Sequence, residues 1–305
     1  MLVGDLSARE LSQRLRGEGI HLDTGAFTTH LRIDIPSLVD EFRQMYAAYA
    51  MVEPAGIDDI EVRIAAPSLL RRFVRKQAMS WIDGEQLIEP LPVDQALPCL
   101  ESALNMGVAY LEMAPLVVHS AVLERDGRAL VMPAPSGSGK STLCAALAWR
   151  GWRLLSDEIA VFCFETGRLL ANPRPVSLKN RSMEVMRAFE PRACFSRVYE
   201  GTNKGDVGYM QAPAAAVARA HESAGPGLLV APVFRHGAPV SIRKMDCKEG
   251  FRWLTDNALN YASLLQYGFD TVTHFIEHSG LYALTYSKLD QAIDAINQLH
   301  ERHAG

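Results

Sequence analysis

At 305 residues, 48% of them apolar, the chain is long enough for one large domain or two ordinary ones around a sizeable core. A formal charge of -4 is not the basic excess of a nucleic-acid binder, no apolar run would span a bilayer, and five scattered cysteines without a C-x-x-C pair argue against zinc and disulfide frameworks. Neither a nucleic-acid partner nor a membrane is expected, a reducing cytoplasm fits, and the start Met1-Leu2-Val3-Gly4-Asp5 soon turns charged, unlike a secretory signal.

Residues 1–115 read as an N-terminal α+β region. Leu31, Ile33 and Ile35 alternate with Arg32 and Asp34, the pattern of a half-buried strand. Pro36-Ser37 then starts a helix with Leu38, Phe42, Met45, Tyr46 and Tyr49 on one face. Ile60, Val62 and Ile64 mark a second strand, and Gln77 to Glu89 reads as a hairpin turning at Asp83-Gly84. Between them Arg71, Arg72, Arg75 and Lys76 form a basic cluster, readable as a solvated helix face or as a docking patch for an acidic partner. A helix with Leu97, Leu100, Leu104 and Val108 inward closes the region.

Residues 116–305 read as a nucleotide-binding catalytic domain. Val117 to Glu124 and Arg128 to Met132 are strands joined at Asp126-Gly127, a tight turn that makes them antiparallel. The second strand runs into Ala134-Pro135-Ser136-Gly137-Ser138-Gly139-Lys140-Ser141, and a helix follows from Thr142. Strand before and helix after is the setting in which G-x-x-x-x-G-K-[ST] reads as a phosphate-binding loop. The glycines let successive N–H groups converge on one anion, and the helix N-terminus adds positive potential. Pro135 to Thr142 are thus the candidate nucleotide-binding residues, with Lys140 on the phosphates and the Ser141 hydroxyl on magnesium. Ala134 replaces the first glycine of the pattern, which alanine can do at negative φ.

Downstream, Trp152 to Leu155 is a strand expected to lie next to the loop strand, and Asp157, the first acid after the loop helix, stands at its end, suited to hold magnesium beside Ser141. Glu158 adjoins it; a turn at the strand end would bring both carboxylates to one site, where the second could take a proton from an attacking hydroxyl. His119, on the strand paired with the loop strand, could touch phosphate or orient Glu158, although a lone histidine on an apolar strand is often a core residue. Ile159–Phe164 and Arg168–Ala171 read as a pair of strands. Arg174, within Asn172-Pro173-Arg174-Pro175, reads equally as a phosphate clamp or a surface arginine. Residues 200–213, with Gly201, Gly205 and Gly208, read as a mobile loop whose Lys204 could close over a ligand. A strand at Gly227–Phe234, helices around Gly250–Gln266 and Gly268–Glu277, a strand at Leu281–Tyr286 and a final helix complete the chain. His274 and His278 lack the glutamate of an H-E-x-x-H metal motif.

His119 before a hairpin, Gly137-Ser138-Gly139-Lys140-Ser141-Thr142, and Gly151-Trp152-Arg153-Leu154-Leu155-Ser156-Asp157-Glu158 together resemble the HPr kinase/phosphorylase catalytic domain, in particular the HPr-kinase-related kinases of the A type. The resemblance extends to Arg174-Pro175-Val176-Ser177-Leu178-Lys179-Asn180 and Leu289-Asp290-Gln291-Ala292-Ile293. It implies the α/β, mixed-sheet phosphate-loop core that this family shares with phosphoenolpyruvate carboxykinase. It further implies ATP-dependent phosphorylation of a serine on a small protein partner, and a homo-oligomer. By this similarity Lys140 holds phosphates, Ser141 and Asp157 hold magnesium, Glu158 matches the catalytic carboxylate and His119 the active-site histidine. The chain departs from the HPr enzymes at Glu158, where they usually carry aspartate, and at Thr142, where they carry glutamate.

The expectation is a Mg-ATP-dependent kinase acting on a hydroxyl, with a nucleotide-responsive binding module of little transfer activity as the alternative. The second needs only Lys140, Ser141 and Asp157; the first also needs Glu158 and His119 within reach of an acceptor.

Overall fold

The structure is a computed structural model. It describes all residues except 54–57, 112–114, 136 and 305. In chain order the first region holds α1 (Ala8–Arg16), β1 (Ile20–Asp23), β2 (Thr28–Ile33), α2 (Pro36–Met45), β3 (Ala50–Val52), β4 (Ile60–Ala65), α3 (Leu69–Phe73), β5 (Gln77–Ile82), β6 (Leu91–Pro92) and α4 (Ala96–Ala109). Their six-stranded sheet runs β3-β1-β2-β4-β5-β6. β2 and β4 are parallel across the α2 crossover, and the other pairs are antiparallel. The alternation at Leu31, Ile33, Val62 and Ile64 puts these side chains in the core, against which α2 lays Leu38, Phe42 and Met45.

The second region begins with β7 (Leu116–Arg125), β8 (Arg128–Pro133), α5 (Lys140–Ala148), β9 (Arg153–Ser156), β10 (Ile159–Phe162), β11 (Leu169–Leu170), β12 (Val176–Lys179), α6 (Ser182–Phe189), β13 (Tyr199–Thr202) and β14 (Gly205–Met210). It ends with α7 (Ala214–Val217), β15 (Gly225–Phe234), β16 (Ser241–Lys244), α8 (Cys247–Thr255), α9 (Tyr261–Glu277), β17 (Gly280–Tyr286) and α10 (Leu289–Ala304). The large sheet is ordered β11-β10-β7-β8-β15-β17-β16, with β9 also on β7. The β7–β8 hairpin is antiparallel, as its Asp126-Gly127 turn requires, while β8 pairs in parallel with β15. One face, with Val117, Ala121, Leu123, Leu130 and Met132, packs in the core that also takes Leu143 and Leu147 of α5 and Ile293 of α10. The other, with Val118, Val122 and Val131, packs with Leu254 of α8 and Val272 and Phe275 of α9.

Three expectations change. Residues 199–210 form a hairpin, β13–β14, joined to β12 in a three-stranded sheet. Its glycines hid the strand pattern because Gly208 is needed bare: a Cβ there would come within 2.5 Å of the Met183 side chain. α9 is kinked at Leu265 (φ 50), next to the expected end of the first late helix, and an additional break falls at residues 256–260. The chain leaves the helix there because 257–259 cover the edge of β7 beyond the end of β8: His119 N–H donates to Asn257 O, and Leu259 N–H to Val117 O. Finally, β9 is not next to the loop strand. β7 lies between them, with Ser120 opposite Pro133 and Val122 opposite both Val131 and Ser156.

Candidate active site

β8 ends at Pro133, and α5 starts at Lys140 with Gly139 at its N-cap. Gly137 and Gly139 have φ of 85° and 88°, the left-handed region that glycine enters without penalty. The end of the loop is pinned from the far strands: Phe234 N–H donates to Ser138 O (2.9 Å) and the Tyr286 hydroxyl to Gly139 O (3.0 Å). The first N–H groups of α5 have no partner inside the helix and open on the space above the loop. Ser136 lies outside the described residues. Pro135 O accepts from Ser138 N–H, and the Thr142 hydroxyl is taken by Ser182 at the start of α6 (2.8 Å), leaving Thr142 its backbone N–H for a ligand.

The intervening strand brings the chemistry together. His119 shares the parity of Val117 and Ala121 on β7, so it faces the side on which α5 packs. The loop lies on one flank of β7 and the two acids on the other. Lys140, 6% exposed, reaches the His119 Nε2 at 2.9 Å. An ammonium only donates, so Nε2 accepts and the imidazole proton sits on Nδ1, which lies 3.9 Å from Glu158 Oε1. That tautomer follows from the hydrogen-bond partner.

β9 and β10 run as one strand along β7, broken at Asp157-Glu158: Leu154 pairs with Leu123 and Ile159 with His119. Ser156 Oγ accepts from the Ile159 N–H (3.0 Å), and Ser120 N–H from β7 donates to Glu158 O. This irregularity lifts the strict alternation that would send neighbouring carboxylates to opposite faces. Both acids line one cleft with Arg174, Ser177 and Lys204.

The site is charged, and its Lys140 and Asp157 are buried. Burial first, then the charge of Glu158, pushes Asp157 up to about 7, against the Ser177 N–H that donates to its Oδ2 at 2.9 Å. Burial also works to raise Glu158, but Lys140, then His119, Lys204 and Lys179, outweigh it and hold that carboxyl below its usual range. Burial, with the Lys140 charge next, pushes His119 down to about 4, so the imidazole is neutral near pH 7. Burial lowers Lys140 as well, while Glu158 and Asp157 oppose that.

The residues fit a magnesium nucleotide. Among the described residues, the Ser138 hydroxyl is buried without a hydrogen-bond partner, and the hydroxyl of Ser141 makes no hydrogen bond. Among the described residues Asp157 makes one hydrogen bond, through Oδ2. A carboxylate whose burial resists ionisation gains from a cation beside it, and magnesium takes one or two protein oxygens together with phosphate oxygens and water.

Arg174 is neither on the surface nor free to clamp phosphate. It is buried, with Nη1 3.3 Å from Glu101 Oε2 on α4 and a close contact to Asn105. Lys204 sits at the β13–β14 turn and lines the cleft opposite the acids. The sequence reading gave no role to Ser177 or Lys179. Their two-residue spacing on β12, after a rigid Pro-Arg-Pro, is the signal that places both on one face.

No protein-family model matches the chain, and no curated protein matches it significantly. Among solved structures, the Hpr(Ser) kinase/phosphatase from Coxiella burnetii is similar over 62% of this chain and 95% of that chain, with 14% sequence identity and a TM-score of 0.30.

Proposed function

We propose that the chain transfers the γ-phosphoryl group of Mg-ATP to a hydroxyl, that of a serine on a small protein. The observation that carries this reading is the meeting of Lys140, His119 and Glu158 at the N-terminus of α5, beside the buried Asp157. The loop N–H groups and Lys140 would hold the phosphates, and Ser141 and Asp157 the metal. Magnesium, when bound, neutralises charge on the phosphate oxygens.

The acceptor oxygen forms a bond to the γ-phosphorus as the bond to the ADP oxygen breaks, and the acceptor's proton passes to Glu158. Glu158 is anionic near pH 7 because cations surround it, so it enters ready to accept. Lys140 rests on His119 and must turn from the imidazole toward phosphate oxygens. His119, with its proton on Nδ1, then keeps an N–H toward Glu158 and orients it. The surroundings supply position and charge in a site where Lys140 and Asp157 are shielded from water.

The test is transfer from γ-labelled ATP and magnesium into lysate proteins of the source organism, with nucleotide binding measured in parallel. Lys140→Ala is expected to lose transfer with weakened binding. Glu158→Gln is expected to bind nucleotide as the wild type does and to transfer about 10²–10⁴ times more slowly. Nucleotide binding without any Lys140-dependent transfer would replace this reading with that of a nucleotide-responsive module.

A further inference from the structure

A second cleft lies on the N-terminal sheet, walled by Arg16, Arg71, Arg72 and Lys76 and floored by Ile35 and Val93, with about 1060 Å³ of empty space including its open mouth. Its rim is α3, a five-residue helix with no buried side chain. Leu69, Leu70, Phe73 and Val74 are 79%, 64%, 73% and 53% exposed. Single apolar residues on a surface are ordinary, but four within six positions, interleaved with Arg71, Arg72, Arg75 and Lys76, make a patch.

This segment is a built feature. Ser68 caps α3 by accepting from Arg71 N–H, Val74 N–H closes the turn on Leu70 O, and Val93 N–H bonds Lys76 O. Its charge is unbalanced. Asp34 is the carboxylate of the cleft and already serves Arg72 and Arg16. Among the described residues, Arg71, Arg75 and Lys76 make no salt bridge. Cations without counter-charge next to exposed Leu and Phe complement a surface that is both acidic and apolar.

The patch also adjoins the candidate active site. Leu91 of β6 lines the catalytic cleft, while Val93, two residues on, lines the basic one. Two extended residues span about 7 Å. The two clefts therefore meet at one short stretch of chain, residues 91–93.

We propose that α3 and the cleft beside it dock an acidic segment with apolar side chains on the protein that carries the acceptor hydroxyl. The role of that protein as substrate rests on the phosphoryl-transfer reading; the docking itself does not. A protein segment is favoured over an anionic membrane because cations line the walls of a cleft, where a chain can enter and a flat bilayer cannot.

The experiment is selection of a displayed library of random short peptides on the nucleotide-free full chain, with binding of synthesised hits followed by fluorescence anisotropy. The Arg71→Glu and Phe73→Ser variants, the first at a half-buried and the second at an exposed position, serve as controls, and their melting temperature and nucleotide binding should equal those of the wild type. The expected hits combine Asp or Glu with Leu or Phe. They should bind about tenfold more weakly to each variant, and more weakly to the wild type as salt rises. The proposal is overturned by hits without acidic residues, or by hits that bind both variants like the wild type. Phe73-dependent binding to phosphatidylglycerol vesicles in preference to the peptides would overturn it in favour of a membrane. Phe73-dependent dimerisation in sedimentation would overturn it in favour of a second copy of the chain. Because no arm uses transfer, loss of the kinase reading and loss of the docking reading are separate results.

Discussion

Burial pushes the carboxyl of Asp157 up to about 7 from the ordinary 3.8, and the charge of Glu158 adds to the rise. The folded chain therefore holds a proton that the unfolded chain has lost, so this contribution to stability is present below about 4 and disappears as pH rises through about 7. His119 acts in the opposite direction. Its folded value near 4 lies below the ordinary 6.5, so its contribution is present above 6.5 and is lost as pH falls through about 4. In the ligand-free protein, Asp157→Asn should keep an acceptor for the Ser177 N–H and remove a buried charge at alkaline pH. We expect it to gain on the order of 1–3 kcal/mol at pH 8, to flatten the fall in melting temperature between pH 5 and 8, and to lose magnesium-dependent transfer. Thermal melts across pH with and without Mg-ATP check all three. A variant no more stable than the wild type at pH 8 would mean that Asp157 is not strained by its burial.

The loop between β8 and α5 holds two left-handed glycines that differ in their surroundings. A Cβ on Gly137 would meet nothing within 4 Å, whereas on Gly139 it would lie 2.5 Å from the Tyr286 hydroxyl and 2.9 Å from the Phe234 Cβ. Gly137→Ala should cost about 1–2 kcal/mol of backbone strain. Gly139→Ala adds a collision with the two groups that pin the loop, and should cost more and weaken nucleotide binding; denaturant titration and nucleotide binding rank the pair. At the β13–β14 turn, Lys204→Ala should leave stability within about 0.5 kcal/mol and slow transfer, because this exposed lysine helps hold Glu158 ionised. An unchanged transfer rate would mark it as a solvated lysine. Much of this local architecture is legible in the sequence: the Asp126-Gly127 turn fixes β7 against β8, and strand–loop–helix surrounds Lys140. The hairpin that carries Lys204 is not, because Gly201, Gly205 and Gly208 serve turns and the close approach of Met183, and so erase apolar periodicity. Nor is the place of β7 between β8 and β9, since chain order carries no strand order.

The largest gap between sequence and molecule is the contact that joins its two regions. Glu101 and Arg174 are 73 residues apart, and neither stands in a motif that announces the other. They meet because α4 of the first region packs where the Pro173-Arg174-Pro175 turn leads into β12, the strand whose Ser177 N–H holds Asp157. Tyr46, at the C-terminal end of α2, donates to Glu101 Oε1 at 2.6 Å, so the first region anchors a guanidinium three residues from the Ser177 N–H that holds Asp157. Side chains of both regions also share one buried apolar cluster. We therefore treat a division at residue 115 as an organisational proposal and expect the two parts to act as a unit. Burial raises the pKa of Glu101 and Arg174 opposes that rise, so removing either partner leaves a charge in the interior without its counter-ion. Arg174→Met and Glu101→Met should each cost about 3–5 kcal/mol, whereas the double variant should recover a large part of that loss. If the anchor positions the site, the single variants should raise the magnesium concentration needed for half-maximal transfer more than the double variant does. A stable double variant with wild-type magnesium dependence would instead confine the pair to stability, and the geometry of Asp157 would then rest on β12 alone.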